Sequence, residues 1–138
     1  MIILDTNVLS ALMRNKPDEA VVAWLDRQPA DSIWITTITA FEIRFGLALL
    51  PASRRRRALE TAFARVVTED LANRVLDFDL PAAHAAAALA ASRHRAGRPV
   101  DLRDTQIAGI AMARRATVAT RNVRHFADLD VPVVNPSA

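Results

Sequence analysis

Three carboxylates occupy places in the sequence where chemistry is easily built. Asp5 ends an apolar run, Glu42 follows "SIWITT" by a few residues, and Asp104 lies early in "LRDTQIAGIAMARR". Carboxylates brought together repel one another, and Mg²⁺ or Mn²⁺ relieves this repulsion through oxygen ligands. A metal held in this way activates water and stabilises phosphoryl transfer. No nucleophilic Ser or Cys and no central His accompanies the three acids, so the pattern predicts metal-assisted hydrolysis.

The elements that carry these acids alternate between strand and helix. Strands are expected at residues 2–4, 32–37, 75–78 and 117–119, with "VPVVN" as a candidate fifth. Helices are expected at 7–14, 17–28, 39–50, 53–71, 80–97 and 102–115. Alternation of this kind predicts an α/β fold with a mostly parallel central sheet of four or five strands. Right-handed crossovers would place helices on both faces of that sheet.

The predicted topology brings distant polar residues to one edge of the sheet. In a parallel sheet, the C-terminal ends of strands and the first turns of the returning helices share the edge where ligands bind. Asp5 ends the first strand, and Glu42 and Asp104 are expected in the first turns of their helices. Asn122 follows the fourth strand, in "ATRN". The four side chains are therefore predicted to meet on one rim.

The motifs around these residues resemble those of a known family over essentially the whole chain. "ILDTNVLSAL", "TAFEIRFGL", "DLRDTQIAGIA" and "VATRNVRHF" before "VPVVNP" are similar to the ordered motifs of PIN-domain ribonucleases, most strongly the VapC/FitB-like toxins of type II toxin–antitoxin pairs. The resemblance implies a PIN-like three-layer α/β/α sandwich, with Mg²⁺ or Mn²⁺ bound by Asp5, Glu42 and Asp104. It also implies endoribonuclease activity that leaves 3′-hydroxyl and 5′-phosphate ends. The position of Asn122 is Asp in some members and Asn in others, which leaves one or two metals open.

The resemblance implies protein partners as well. It suggests a cognate antitoxin whose segment lies in a groove along the helix at 39–50 and carries a basic residue to the acids. A homodimer, within a larger toxin–antitoxin assembly, is also implied. That helix contains more large apolar residues than one face can bury, namely Phe41, Ile43, Phe45, Leu47, Leu49 and Leu50. An exposed remainder favours a protein partner.

Each acid also has a purely structural interpretation. Asp5 and Asp101 are good helix N-caps, and Thr39 with Glu42 fits a capping box. Asp104 would interact favourably with a helix dipole. These separate interpretations give no reason for the acids to converge, so we favour the catalytic interpretation for Asp5, Glu42 and Asp104. Asp101 is expected to be a cap or a supporting group.

Several neighbours of the acids are weaker candidates. The side chains of Thr6, Asn7 and Thr120 would orient the carboxylates or satisfy backbone amides at the strand ends. Arg121 and Arg124 are candidates for contacting RNA phosphates.

Other basic residues are expected to lie outside the site. The four arginines at 54–57 are interpreted as a solvated helix face, with an RNA contact as the alternative. His84, His94 and His125 lack ligand spacing, so surface or packing roles are expected rather than a zinc site.

Composition restricts the class of protein. The chain has 138 residues, of which 51% are hydrophobic, so we expect one domain with a real core. Its net charge of +3 is compatible with a polyanionic partner. The absence of Cys excludes a disulfide scaffold and thiolate metal sites. With no apolar stretch near ~20 residues and no signal-peptide pattern, we expect a cytoplasmic protein without a membrane partner.

Two other functions are alternatives to the ribonuclease. A Mg²⁺-dependent phosphatase of the haloacid dehalogenase type also places an Asp after its first strand, but it needs a second Asp where this chain has Asn7. No Lys occurs in "LRDTQIAGIA" or "ATRN" to neutralise an aspartyl-phosphate, and a signalling receiver domain is disfavoured for similar reasons. A non-catalytic RNA-binding or assembly module would keep the rim without turnover. Loss of a core acid would favour that module, and all three acids are present.

Overall fold

A five-stranded sheet forms the centre of the computed structural model, which describes residues 1–99 and 101–138. Its strands are β1 (Ile2–Leu4), β2 (Ile33–Thr36), β3 (Val75–Leu76), β4 (Thr117–Ala119) and β5 (Val133–Val134). Their order is β3-β2-β1-β4-β5, and each pair of neighbours in the described residues is parallel. The candidate fifth strand is therefore confirmed, and β1 lies in the middle of the sheet.

Six α-helices connect the strands in the described residues. They are α1 (Thr6–Leu12), α2 (Glu19–Asp26), α3 (Thr37–Ala48), α4 (Arg54–Arg65), α5 (Leu80–Arg95) and α6 (Leu102–Arg114). Short 3₁₀ turns occur at Ala30–Ser32 and Val123–Phe126. Within these residues, every helix is too short or too polar to cross a membrane.

The two faces of β1 contribute to two separate cores. Ile3 is fully buried in a cluster with apolar residues of α5 and α6, whereas Leu4 packs in a second cluster with residues of α1, α2, α3 and α4. Burial of such a side chain stabilises the fold by roughly 1.5–3 kcal/mol. Burial on both faces explains why β1 is a continuous apolar run rather than an alternating one. The predicted three-layer α/β/α sandwich is confirmed.

Small residues allow α5 and α6 to pack very closely. A Cβ atom on Gly109 would lie 2.6 Å from the carbonyl oxygen of Ala82 and 2.6 Å from Cβ of Ala86. Gly97, at φ +70°, follows the C-terminus of α5 and ends the helix in the left-handed conformation that glycine adopts easily. The resulting hairpin places the last turns of α5 beside the first turn of α6.

The start of α3 differs from the predicted start. The helix begins at Thr37 because the hydroxyl of Thr36 caps it, accepting the Thr39 N–H at 3.1 Å. Glu42 therefore lies in the second turn rather than the first. The alternative interpretation of Thr39 and Glu42 as a capping box does not apply, since the Glu42 carboxylate accepts a hydrogen bond from Thr6 instead.

Other element boundaries also shift for local reasons. Helix α2 begins after Asp18, whose carboxylate accepts two backbone N–H groups, and not at residue 17. The predicted helix at 53–71 ends at Arg65 and continues as a π turn, where the Leu71 N–H bonds to the Val66 carbonyl at 2.8 Å. The strand predicted at 75–78 spans only Val75–Leu76, because the Phe78 N–H donates to the Thr37 hydroxyl instead of to a neighbouring strand.

Candidate active site

Asp5 is held at the C-terminal end of β1 by hydrogen bonds on both sides of its carboxylate. The side chain is almost fully buried, with 4% of the residue exposed. Its Oδ1 accepts the Thr6 N–H at 2.8 Å, and its Oδ2 accepts the Thr120 hydroxyl at 2.8 Å. The Asp5 N–H donates to the Ala119 carbonyl at 2.9 Å, which ties the acid to β4. The position of this carboxylate is therefore fixed by backbone and side chain together.

The surroundings of Asp5 disfavour its charged form. Burial raises the pKa of Asp5 from 3.8 to about 6, while the hydrogen bonds from Thr120 and Thr6 oppose that rise. The negative charges of Asp104 and Glu42 raise the pKa further, so all three acids lie within electrostatic reach of one another. A bound cation would relieve both causes of the rise.

A chain of threonine hydroxyls leads to Glu42. The Thr6 hydroxyl donates to Glu42 Oε1 at 2.8 Å, and its oxygen lies 2.9 Å from the Thr39 hydroxyl. Because a hydroxyl has one proton, Thr39 donates to Thr6. Thr36 in turn donates to Thr39 at 3.5 Å. The buried Thr39 thus fixes the rotamer of Thr6, which orients Glu42 toward the rim.

Asp104 lies in the first turn of α6, as predicted. Asp101 is the N-cap of this helix, and its Oδ1 accepts the Asp104 N–H at 3.0 Å, which confirms the capping role. The Asp104 Oδ2 lies 2.7 Å from Nδ1 of His125, in the 3₁₀ turn after β4. The start of α6 and the 3₁₀ turn after β4 therefore meet at the Asp104 carboxylate.

The second Glu42 oxygen faces a cation on α6. Arg103 Nη1 lies 3.6 Å from Glu42 Oε2. The Arg103 Cζ atom also lies 5.4 Å and 5.6 Å from the ring centroids of Phe41 and Phe45, which stack at 5.9 Å. This arrangement permits a cation–π contact with each ring. Arg103 therefore connects the acidic rim to an exposed aromatic pair on α3.

The weaker candidates have different placements. Asn7 Oδ1 accepts the Arg121 N–H at 3.2 Å, which fixes the loop after β4. The Asn122 N–H donates to the Thr120 hydroxyl at 3.0 Å, and the residue is exposed. Arg121 Nη2 is 3.9 Å from Asp18 Oδ2, a long ion pair directed toward α2. Arg124 lines a cavity of about 310 Å³ beside Asp104.

Sequence reasoning missed three contributors to the site. His125 was expected at the surface or in packing, but its ring contacts Asp104. Arg103 was not considered as a neighbour of Glu42, and Thr39 was considered only as a capping-box partner, not as a support of Thr6. A helical turn after Asn122 would place His125 on the rim, so the spacing in "NVRH" was an available signal. The contact of Arg103 with Glu42 depends on how α3 packs against α6, which the sequence does not reveal.

The three carboxylates supply the oxygen ligands that a hard divalent cation prefers, but their side chains are not grouped around one point. In the described residues, no group of three or more Asp, Glu, His or Cys side chains is arranged to hold a metal ion as the side chains stand. Glu42 is turned toward Arg103, and Asp104 toward His125. The His125 contact uses only Oδ2 of Asp104, and both Arg103 and His125 are partly exposed, so neither contact closes its carboxylate off from solvent.

The fold and the acids together define an α/β protein with an acidic cluster at the edge of the sheet where its parallel strands end. A family model described as the PIN domain matches residues 2–132. The chain belongs to the PIN-domain family.

Individual relatives support the same assignment. VapC ribonuclease Y4jK from Sinorhizobium fredii is 40% identical over 136 residues, covering 99% of this chain and 97% of the relative. Toxin FitB from Neisseria gonorrhoeae is 37% identical, covering 99% of this chain and 98% of FitB. The crystal structure of FitAcB from Neisseria gonorrhoeae superposes with a TM-score of 0.89 at 37% identity, covering 99% of this chain and 98% of that one. The crystal structure of VapBC-5 from Mycobacterium tuberculosis, a member of the VapBC family of toxin–antitoxin systems, superposes with a TM-score of 0.68 at 27% identity. The match covers 96% of each chain. The resemblance to VapC/FitB-like PIN domains is confirmed.

Proposed function

We propose that this protein is a Mg²⁺- or Mn²⁺-dependent endoribonuclease that acts as the toxin of a toxin–antitoxin pair. The observation that carries the proposal is the buried Asp5 carboxylate, fixed by Thr120 and Thr6 and within electrostatic reach of Glu42 and Asp104. Such a cluster is unfavourable without a cation. The relatives named as a ribonuclease and as a toxin support the substrate class and the biological role.

The residues of the chain would divide the work of hydrolysis. Asp5, Glu42 and Asp104 would hold Mg²⁺ or Mn²⁺, which when bound neutralises the acids, acidifies water and stabilises charge on the phosphate. Thr6 and Thr120 would keep two of these carboxylates in place. Exposed Arg124 would hold a neighbouring RNA phosphate beside the cavity at Asp104.

The reaction would be an in-line displacement at phosphorus. A water oxygen forms a bond to the scissile phosphorus while the bond from phosphorus to O3′ breaks. The proton lost by water goes to solvent, and the leaving O3′ takes up a proton. The products would carry 3′-hydroxyl and 5′-phosphate ends, as the family resemblance implies.

A cleavage assay with a matched control tests this proposal. Purified protein would be incubated with tRNA and mRNA in Mn²⁺, in excess chelator, and as Asp5→Asn and Asp104→Asn. Asp77→Asn is the control, because Asp77 also follows a strand of the sheet but is exposed at the outer strand β3. We expect cleavage only with metal, lowered about 10³-fold in the first two variants and unchanged in the third. Full activity of Asp5→Asn, or activity in chelator, would disprove the mechanism. RNA binding without cleavage in Mn²⁺ would indicate a non-catalytic module.

An exposed apolar stripe on α3 supports the antitoxin partner. Phe41, Phe45 and Leu49 are 56%, 44% and 70% exposed and lie one helical turn apart. Beside them is a groove of about 520 Å³, which leads toward the acidic rim and is lined in part by Thr6, Glu42, Phe45, Leu49, Arg55 and Arg103. We propose that an apolar segment of the antitoxin lies on this stripe and directs a basic residue to Glu42. Homodimers of the toxin would join through antitoxins in a larger assembly.

Binding measurements on paired variants test the partner. The Phe41→Ala/Phe45→Ala double variant should weaken binding of a co-encoded antitoxin by about 1,000-fold, because buried aromatic anchors contribute about 2 kcal/mol each. Leu80→Ala is the control, since Leu80 is 68% exposed on a different helix. Titration calorimetry would measure both, and light scattering would give the number of copies. Equal affinities of the two variants would exclude the α3 stripe.

A further inference from the structure

A buried arginine lies next to the acidic rim without belonging to it. Among the residues that the structure describes, Arg93 is the one arginine that is buried, with 4% of the residue exposed. It lies in the last turn of α5. Removing a guanidinium from water costs several kcal/mol unless its donors are satisfied. The partners of Arg93 therefore decide what its burial achieves.

Four hydrogen bonds from Arg93 join three elements. Nε donates to Asp128 Oδ2 at 2.9 Å, and Nη2 donates to Asp128 Oδ1 at 2.8 Å. Nη1 donates to the Thr105 hydroxyl at 3.0 Å, and Nη2 also donates to the His125 carbonyl at 2.6 Å. The hydrogen bond from Arg93 lowers the pKa of Asp128, so the pair is charged at neutral pH. The planar Arg93 guanidinium thus joins the C-terminal end of α5 to the N-terminal end of α6 and to the turn after β4.

The bonded groups are the immediate supports of Asp104. Thr105 follows Asp104 in the chain, and its hydroxyl donates to the carbonyl of the cap residue Asp101 at 2.8 Å. His125 carries the ring that lies 2.7 Å from Asp104 Oδ2. The same guanidinium therefore holds the helix turn that carries Asp104 and the backbone that carries the partner of its carboxylate.

Holding the helices together does not by itself call for an arginine at this position. Well-packed apolar residues often replace buried ion pairs with no loss of stability. What an apolar side chain cannot do is fix the direction of two hydrogen-bonding groups at once. We propose that Arg93 is a positioning residue that holds Asp104 in place for the metal, through Thr105 on one side and His125 on the other. The inference rests on the proposed metal-dependent function.

A second arginine provides a matched control. Arg74 also uses its guanidinium on backbone groups, with Nε 2.8 Å from the Ile33 carbonyl oxygen and Nη2 2.6 Å from the Ala30 carbonyl oxygen. It directly precedes β3, and its side chain contacts the start of β2, at the edge of the sheet opposite the acids. Arg74→Lys should therefore damage the fold in a similar way without affecting Asp104.

The experiment measures Mn²⁺ affinity and metal-free dynamics of the full chain. Titration calorimetry would compare wild type, Arg93→Lys and Arg74→Lys, each well below its own unfolding temperature. Lys keeps the charge but cannot reproduce the fork. We expect the Mn²⁺ Kd to rise about 10–100-fold in Arg93→Lys, the usual effect of losing a support of a metal ligand, and to stay unchanged in Arg74→Lys. Hydrogen exchange without metal should accelerate at residues 102–105 and 123–128 in Arg93→Lys alone.

A milder variant keeps the inference testable if Arg93→Lys fails to fold. Thr105→Val removes one partner of Arg93 with little change in volume, and it should raise the Mn²⁺ Kd in the same direction by a smaller factor. Wild-type Kd and wild-type exchange in both Arg93→Lys and Thr105→Val would overturn the positioning role while leaving the proposed function intact. A third outcome is that the variants exchange faster around Asp104 but the wild-type protein binds no Mn²⁺. That result would overturn the proposed function and, with it, the role of Arg93 toward the metal.

Discussion

The two sides of the acidic rim are built in different ways. Asp5 is dry, ends the central strand, and has both oxygens bonded to groups that follow directly from strand register. Asp104 is wetter, begins a helix, and contacts an exposed imidazole in a short turn. The Asp5 side is held by the sheet and is called fixed. On the Asp104 side, called adjustable, Arg93 holds the backbone while the carboxylate itself stays partly exposed. A site with one fixed and one adjustable acid can receive a cation without moving its core.

The largest expected effect is on RNA cleavage, and it is the same for both acids. The stability of the metal-free protein is what distinguishes them. Asp5→Asn and Asp104→Asn should each lower RNA cleavage by about 10³-fold, because each removes several kcal/mol of metal-based stabilisation. Only Asp5→Asn should also stabilise the metal-free protein at neutral pH, by up to about 3 kcal/mol, because it removes a buried charge whose pKa is about 6. Thermal unfolding in chelator measures this. A fall in the unfolding temperature of Asp5→Asn would contradict the fixed, dry character of that side.

The pH dependence of stability sharpens the same contrast. The pKa of Asp5 is raised in the folded state, so the protonated acid stabilises the fold fully below pH 3.8, and this contribution is lost as pH rises through about 6. The free energy of unfolding of metal-free wild type should therefore decline relative to Asp5→Asn between these values. Urea titrations of both proteins at several pH values provide the measurement. Parallel pH curves for the two proteins would show that Asp5 titrates normally.

Removing the hydroxyl of Thr120 should have an intermediate effect. Thr120→Val leaves Asp5 Oδ2 and the Asn122 N–H without their partner, and an unsatisfied buried group costs about 1–3 kcal/mol. Thr61→Val, on the exposed face of α4, is the control and should change stability by less than about 0.5 kcal/mol. Urea unfolding compares the two variants. Equal stabilities would mean that the strand end holds Asp5 without Thr120.

The smallest effect is expected on the adjustable side. His125→Ala should change the free energy of unfolding by less than about 1 kcal/mol, because the ring is 53% exposed and surface pairs contribute little. Cleavage should fall by about tenfold, since the ring orients Asp104. His84→Ala, another exposed histidine, serves as the control for assay variation. A loss of stability as large as that of Thr120→Val would show that the turn is as fixed as the strand.

The sequence predicted the fixed side of the rim better than the adjustable side. The run Ile2–Leu4 before Asp5, and "ATRN" after β4, specify strand ends locally, so the fixed side could be placed before the structure was known. The supports of Asp104 come from Arg93, Asp128 and His125, whose meeting depends on the close packing of α5 against α6. Nothing local marks a surface-type residue such as Arg93 as buried. Glu42 was assigned to the rim but to the wrong helical turn, because Thr36 rather than Thr39 caps α3.

The central position of β1 has a consequence for synthesis of the protein. Asp5 emerges among the first residues, yet its partner Thr120 lies 115 residues later, and β4 beside it is the next-to-last strand. Pairing of such distant segments is slow and cannot begin before both exist. No growing chain therefore has a complete rim until residue 122 has been added. If the proposed function holds, a nascent chain cannot cleave RNA before that point of its synthesis.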